Sequence, residues 1–165
     1  MVTVNNLTQT GHAIKVLKKY PDLIPLVLNA IDIEQEDLIT TIFETLTDFF
    51  ETKKVLRPHL PLLGEAAINI SLNLDLQANV RQTTLFFLEE IGETFGRALA
   101  KKNIEMIRKI VDCGFKVACE DTEEYADEDD SPHYMALCML YSFAAEVPNE
   151  VAYPIFKERV LQCMQ

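Results

Sequence analysis

Glu89, Glu90 and Glu93 lie within five residues, and with His12, His59 and His133 they are the side chains whose types could support acid–base or metal chemistry. A dicarboxylate metal site built on helices also needs Glu-x-x-His partners, and the sequence has none. The histidines stand apart, with no His-Glu-x-x-His, and His133 with Cys138 fits no zinc spacing. Gly-x-Ser-x-Gly, Walker and Gly-x-Gly-x-x-Gly loops are absent from the sequence, so nucleophilic and phosphate-cradling chemistry lack their usual frames. The three glutamates therefore read as a solvated helix face. The chain is expected not to be an enzyme and to need no cofactor and no metal.

The chemistry that remains is electrostatic. Against 15 Lys and Arg stand 26 Asp and Glu, a formal charge of −11. Eight of those acids, Glu120, Asp121, Glu123, Glu124, Asp127, Glu128, Asp129 and Asp130, fall in eleven residues that contain no base. Such a run repels itself and holds little apolar surface, so it reads as a solvated stretch or as a contact for a basic protein. Binding to a phosphate backbone needs clustered Lys and Arg, so no direct nucleic-acid contact is expected. The longest unbroken apolar stretch, Tyr134 to Tyr141, is far shorter than the roughly 20 residues a spanning helix requires, and no membrane partner is expected. Cys113, Cys119, Cys138 and Cys163 sit in apolar helical runs without a Cys-x-x-Cys pair and read as buried thiols of an intracellular protein.

Apolar residues recur every three or four positions almost throughout, and no stretch alternates like a strand. Leu38, Ile39, Ile42, Phe43, Leu46, Phe49 and Phe50 form one helical face opposite Asp37, Thr40, Thr41, Glu44, Asp48 and Glu51. Further helices are predicted from Pro58 to about Asn73, from Val80 to a stop at Gly96, and from Ile104 to Ala118. Ser131-Pro132, an N-cap followed by Pro at the first helical position, opens a helix to about Glu146, and a last one runs from about Val151 to Met164.

These helices repeat. First helices begin near Gln35, Gln77 and Pro132, and the longer second interval holds the acidic run. Pro21-Asp-Leu-Ile-Pro-Leu-Val-Leu-Asn-Ala-Ile31 aligns with Pro58-His-Leu-Pro-Leu-Leu-Gly-Glu-Ala-Ala-Ile68, with Pro, Leu, Leu, Ala and Ile at shared places. A helix pair of this length matches HEAT and armadillo units of about 40–47 residues. The predicted fold is all-α, a right-handed α-α superhelix of about three and a half antiparallel pairs, with repeats at 4–32 (partial), 35–74, 77–119 and 132–164 and an acidic insertion at 120–131. The helix from Tyr134 to Ala145 is apolar all round and is expected to be covered on several sides, as in a piece of a longer array.

Asn79-Val-Arg81 with Thr84 and Leu88 resembles the HEAT first-helix pattern, in which such an arginine ties repeat to repeat. Tyr20-Pro-Asp-Leu-Ile-Pro-Leu-Val-Leu, Glu36-Asp-Leu through Phe50, Leu56-Arg-Pro-His-Leu60, Asn79-Val-Arg-Gln82, the acidic run and Ile155-Phe-Lys-Glu158 follow in an order similar to middle repeats of importin-β-type nuclear transport receptors, the importin-4 and importin-5 group in particular. The resemblance implies basic cargo of ribosomal-protein or histone type, or nuclear localisation signals. Ran-GTP and nucleoporins would engage the full-length receptor, which would move between cytoplasm and nucleus through the nuclear pore.

In such superhelices the second helix of each pair lines the concave face, which directs the search for cargo contacts to Glu65, Asn69 and Asn73, at i, i+4 and i+8 from Pro58's helix. Asn29 with Asp32, and Glu105 with Asp112 beside Lys109 and Lys116, extend that stripe on neighbouring helices. Carboxylates and amides accept hydrogen bonds from Lys and Arg, and an amide also bonds an extended backbone. A HEAT scaffold for a multiprotein complex, binding one folded partner, is the competing expectation.

Overall fold

The computed structural model describes residues 15–16, 19–20, 22–29, 31, 34–50, 56–120 and 131–163, and seven helices lie wholly among these described residues. They are α1 (Leu23–Asn29), α2 (Glu36–Thr47), α3 (Leu60–Ser71), α4 (Ala78–Lys102), α5 (Ile104–Ala118), α6 (Pro132–Glu146) and α7 (Asn149–Cys163). A 3-10 turn, Arg57–His59, leads into α3, and no strand occurs among the described residues.

Local chemistry explains most of these bounds. In α2 the β-branched Thr40, Thr41, Thr45 and Thr47 each turn their hydroxyl back onto the carbonyl four residues earlier, at 2.7–3.2 Å, so no side-chain donor is left over in a helix rich in threonine. Asn103 ends α4 and caps α5, its side chain accepting the Met106 N–H at 3.2 Å. The Ser131 hydroxyl accepts the Tyr134 N–H at 3.2 Å, with Pro132 in the first turn, as the sequence predicts.

The helices lie in two layers. First helices α2, α4 and α6 pack side by side, while α1, α3, α5 and α7 follow one another in the second layer, and α3 and α5 also pack on the first helix that comes after each. This is the stacking of an α-helical solenoid, in which each pair buries its apolar stripe against its neighbours. One continuous core results. Phe87 meets Phe43 and Phe50 edge-on at 5.1 Å between centroids, and Phe50 reaches Phe95 at 5.9 Å, joining α2 to α4. Glycine lets the neighbouring first helix come close: a Cβ on Gly92 of α4 would lie 2.6 Å from the Phe143 ring of α6.

Two expectations about helices are corrected. Gly96 does not stop α4, which continues for six more residues to Lys102. The glycine is used for packing, since a Cβ there would stand 3.4–3.5 Å from Val147 and Glu146, and the good helix formers Arg97-Ala-Leu-Ala-Lys-Lys carry the helix on. The apolar helix α6 is covered by α4 and α5, yet Tyr134, Leu137 and Tyr141, at i, i+3 and i+7, are 47, 57 and 77% exposed. Of the cysteines, Cys113 is buried and Cys138 half-buried, but Cys119 is exposed because it follows the last turn of α5, beyond that helix's buried face; the Cys163 side chain lies outside the described residues.

Candidate functional site

The second-helix layer presents a groove of about 280 Å³ between α3 and α5, with Glu65, Asn69, Lys109, Asp112 and Lys116 on its walls and Ile68 and Leu72 between them. Helical spacing accounts for this. Glu65 and Asn69 are one turn apart on the exposed side of α3, whose opposite side buries Leu63, Ala67 and Ile70. Helix α5 does the same with Ile107, Ile110, Val111 and Val117 inside and Glu105, Lys109 and Lys116 outside.

The charges on this layer are already matched. Lys109 Nζ donates to Glu65 Oε1 at 2.6 Å, with both side chains about half exposed. The Glu65 carboxylate holds the Lys109 ammonium above its ordinary range, first by that hydrogen bond and then by charge. Arg159 of α7 grips Asp112 through Nε on one carboxylate oxygen and Nη2 on the other at 2.6 Å. Arg108 reaches Glu158 at 2.9 Å. Acids Glu65, Glu105, Asp112, Glu150 and Glu158 equal bases Arg108, Lys109, Lys116, Lys157 and Arg159 in number, so the four second helices carry no net charge.

Each residue expected to contact cargo can now be located. Glu65, Asn69 and Glu105 are exposed on the second-helix layer, and Asn29 is exposed at the end of α1. Asp112 lines the groove with its carboxylate taken by Arg159, so it is not an open acceptor. Asn73 leaves the stripe, because α3 ends at Ser71; its Oδ1 accepts the Asp75 N–H at 3.0 Å and shapes the turn into α4. Asp32 lies outside the described residues. The ion-pair partners Arg159 and Glu158 have no signal in the sequence. They are 47 and 50 residues from Asp112 and Arg108, and no local pattern marks a contact at that separation.

The acidic run divides in the same way. Asp121, Glu123, Glu124, Asp127, Glu128, Asp129 and Asp130 lie outside the described residues. Glu120 does not belong to a solvated loop: its side chain is 15% exposed, and Arg81 Nη2 touches both its oxygens at 2.5 and 2.7 Å. Arg81, itself buried, also donates from Nε to the Ser71 carbonyl at 2.8 Å, so one guanidinium joins the ends of α3 and α5 to the first turn of α4. The His133 ring Nε2 is 2.8 Å from the Glu120 carbonyl oxygen, which it meets as an N–H donor, and Ser131 is buried. The two flanks of the insertion are thereby held together.

Glu89, Glu90 and Glu93 are not simply solvated. The Ser142 hydroxyl of α6 points between Glu89 and Glu93, at 3.0 and 3.4 Å, and partial burial pushes the Glu89 and Glu90 carboxyls above the usual carboxylate range. Among the described residues no three His, Cys, Asp or Glu side chains are placed to hold a metal ion, and no helix is long and apolar enough to cross a membrane. No protein-family model and no curated protein sequence matches the chain.

Proposed function

We propose that the chain is a segment of an importin-β-type nuclear import receptor that binds a basic partner along its second-helix layer, as part of Ran-dependent import from cytoplasm to nucleus. The observation that supports this reading is the α3–α5 groove, where Glu65 and Asn69 stand one turn apart beside Ile68 and Leu72. A lysine or arginine of an extended segment finds there a carboxylate for its charge and apolar walls for its methylene stem, and Asn69 offers donor and acceptor to the backbone. Because the Lys109–Glu65 and Arg108–Glu158 pairs on this layer are about half exposed, each such contact is weak and affinity comes from the number of contacts along the layer. The acids from Asp121 to Asp130 add a field that raises the encounter rate with basic partners.

A second reading, a scaffold for one folded partner, is favoured by a different observation. Tyr134, Leu137 and Tyr141 line up on α6 as an exposed apolar stripe, while the second-helix layer is electrically neutral.

A salt series separates the two. Binding of a Lys-rich import-signal peptide is measured with the chain as it stands and with the acids 121–130 changed to Asn and Gln; Glu120 is left intact because it is structural. The receptor reading expects saturable binding that weakens steeply with salt and slows on the neutralised variant. Salt-insensitive binding, or none at low salt, favours the scaffold.

A further inference from the structure

Of the two carboxylates in the α3–α5 groove, one is fixed and one is exchangeable. Asp112 is about a quarter exposed and receives two contacts from the planar guanidinium of Arg159. Glu65 is more than half exposed and receives one contact, at 2.6 Å, from the flexible ammonium of Lys109, which is itself 49% exposed. An exposed ammonium on a four-carbon stem is held loosely and shares its partner with water. Lys109 reaches Glu65 from the neighbouring second helix, across the groove that a partner segment would follow.

We propose that Lys109 is an internal competitor, occupying on Glu65 the place that a partner's lysine or arginine takes, so that the groove is self-occupied in the free chain. This rests on the basic-partner reading given above. An incoming cation does not gain a whole ion pair at Glu65; it exchanges one exposed pair for another, and the net gain is small. Lys116, exposed on the same wall, adds a second positive charge. The groove therefore discriminates against partners that bring a single isolated cation. It admits those whose other contacts, to Asn69 and the apolar walls, outweigh the displacement of Lys109.

The test is fluorescence-anisotropy titration of a labelled Lys-rich peptide against the chain and four variants at low salt. Lys109→Gln is expected to tighten binding by about two- to fivefold, the size of one exposed pair. Lys101→Gln removes the same charge from an exposed site at the end of α4, away from the groove, and is expected to change affinity less. Glu65→Gln is expected to weaken binding, and Glu65→Gln with Lys109→Gln to lose the gain. Equal tightening by Lys101→Gln, or a gain that survives Glu65→Gln, overturns the proposal while leaving the basic-partner reading in place. Absence of binding by the unaltered chain and all four variants overturns that reading and this proposal with it. Unchanged melting midpoints confirm that the surface variants fold.

Discussion

Two carboxylate–cation pairs in this molecule share a chemistry and differ in use. At the edge where the acidic insertion leaves α5, Arg81 and Glu120 are 8 and 15% exposed, and the same guanidinium also binds a backbone carbonyl. On the second-helix layer, Lys109 and Glu65 are 49 and 58% exposed and share one hydrogen bond. Removing water from the first pair makes either partner costly to lose, because the other is left as a buried, uncompensated charge. The second pair keeps its water, so it contributes little to the fold and can be exchanged. Burial, together with the fixed fork of a guanidinium against a flexible ammonium, decides which pair fastens helices and which is available to a partner.

The sharpest way to break that contrast is Arg81→Met. It strands Glu120 and frees the Ser71 carbonyl, and is expected to lower stability by about 3–5 kcal/mol, read from the midpoint of chemical denaturation. Cys113 gives an independent reading of the same opening. Burial pushes its thiol up to about 12, so alkylation at neutral pH waits for the structure to open, and Arg81→Met is expected to accelerate it. Gly92→Ala comes next. Its Cβ would press on the rigid Phe143 ring at 2.6 Å, at a cost of about 1–3 kcal/mol, whereas Gly64→Ala meets only the flexible end of Met106 and is expected to cost less. Ser131→Ala loses the cap of α6, about 1 kcal/mol by thermal melting, and loosens the far flank of the insertion.

Smaller effects complete the series. Burial disfavours the charge of Glu89 and raises its carboxyl above the usual range in the folded chain, so the native state holds that proton to higher pH than the unfolded chain does. Its contribution therefore favours the fold at low pH and is withdrawn as pH rises through the native value. Glu89→Gln is expected to flatten that fall in a series of melts spanning the carboxylate range, by less than the loss of the Ser131 cap. Lys109→Gln is expected to leave the melting midpoint unchanged. A clear drop would mean that the exposed pair fastens α3 to α5 after all, and the contrast with Arg81 would be lost.

How far the sequence carried these conclusions depended on distance along the chain. The 3.6-residue period placed the helices, and two local signals were unambiguous: α5 spans the 104–118 that its apolar spacing marks, and Ser131-Pro132 opens α6. Gly96 misled because glycine ends helices and also lets them touch, and only the position of Val147 tells which. Glu120 looks like its acidic neighbours because charge runs are recognised by composition, while its partner Arg81 lies 39 residues away. Asp112 looks like an open acceptor because its partner Arg159 is 47 residues distant. The stripe Glu65, Asn69, Asn73 was right in its period and one turn too long, since α3 ends before Asn73. The exposed side of α6 had no local signal, because an apolar side chain looks the same in sequence whether a neighbour covers it or not.

A residue-resolved NMR titration with a Lys-rich peptide at low salt reports most directly on which pair a partner engages. The chemical shifts of Glu65, Ile68, Asn69 and Lys109 are expected to move together and saturate, while Arg81 and Ser71, fixed beneath the surface, stay in place. Shifts confined to the acids of α2, to the α6 stripe or to the Arg81 bracket, with the α3–α5 groove silent, would contradict the assignment of the second-helix layer as the binding surface.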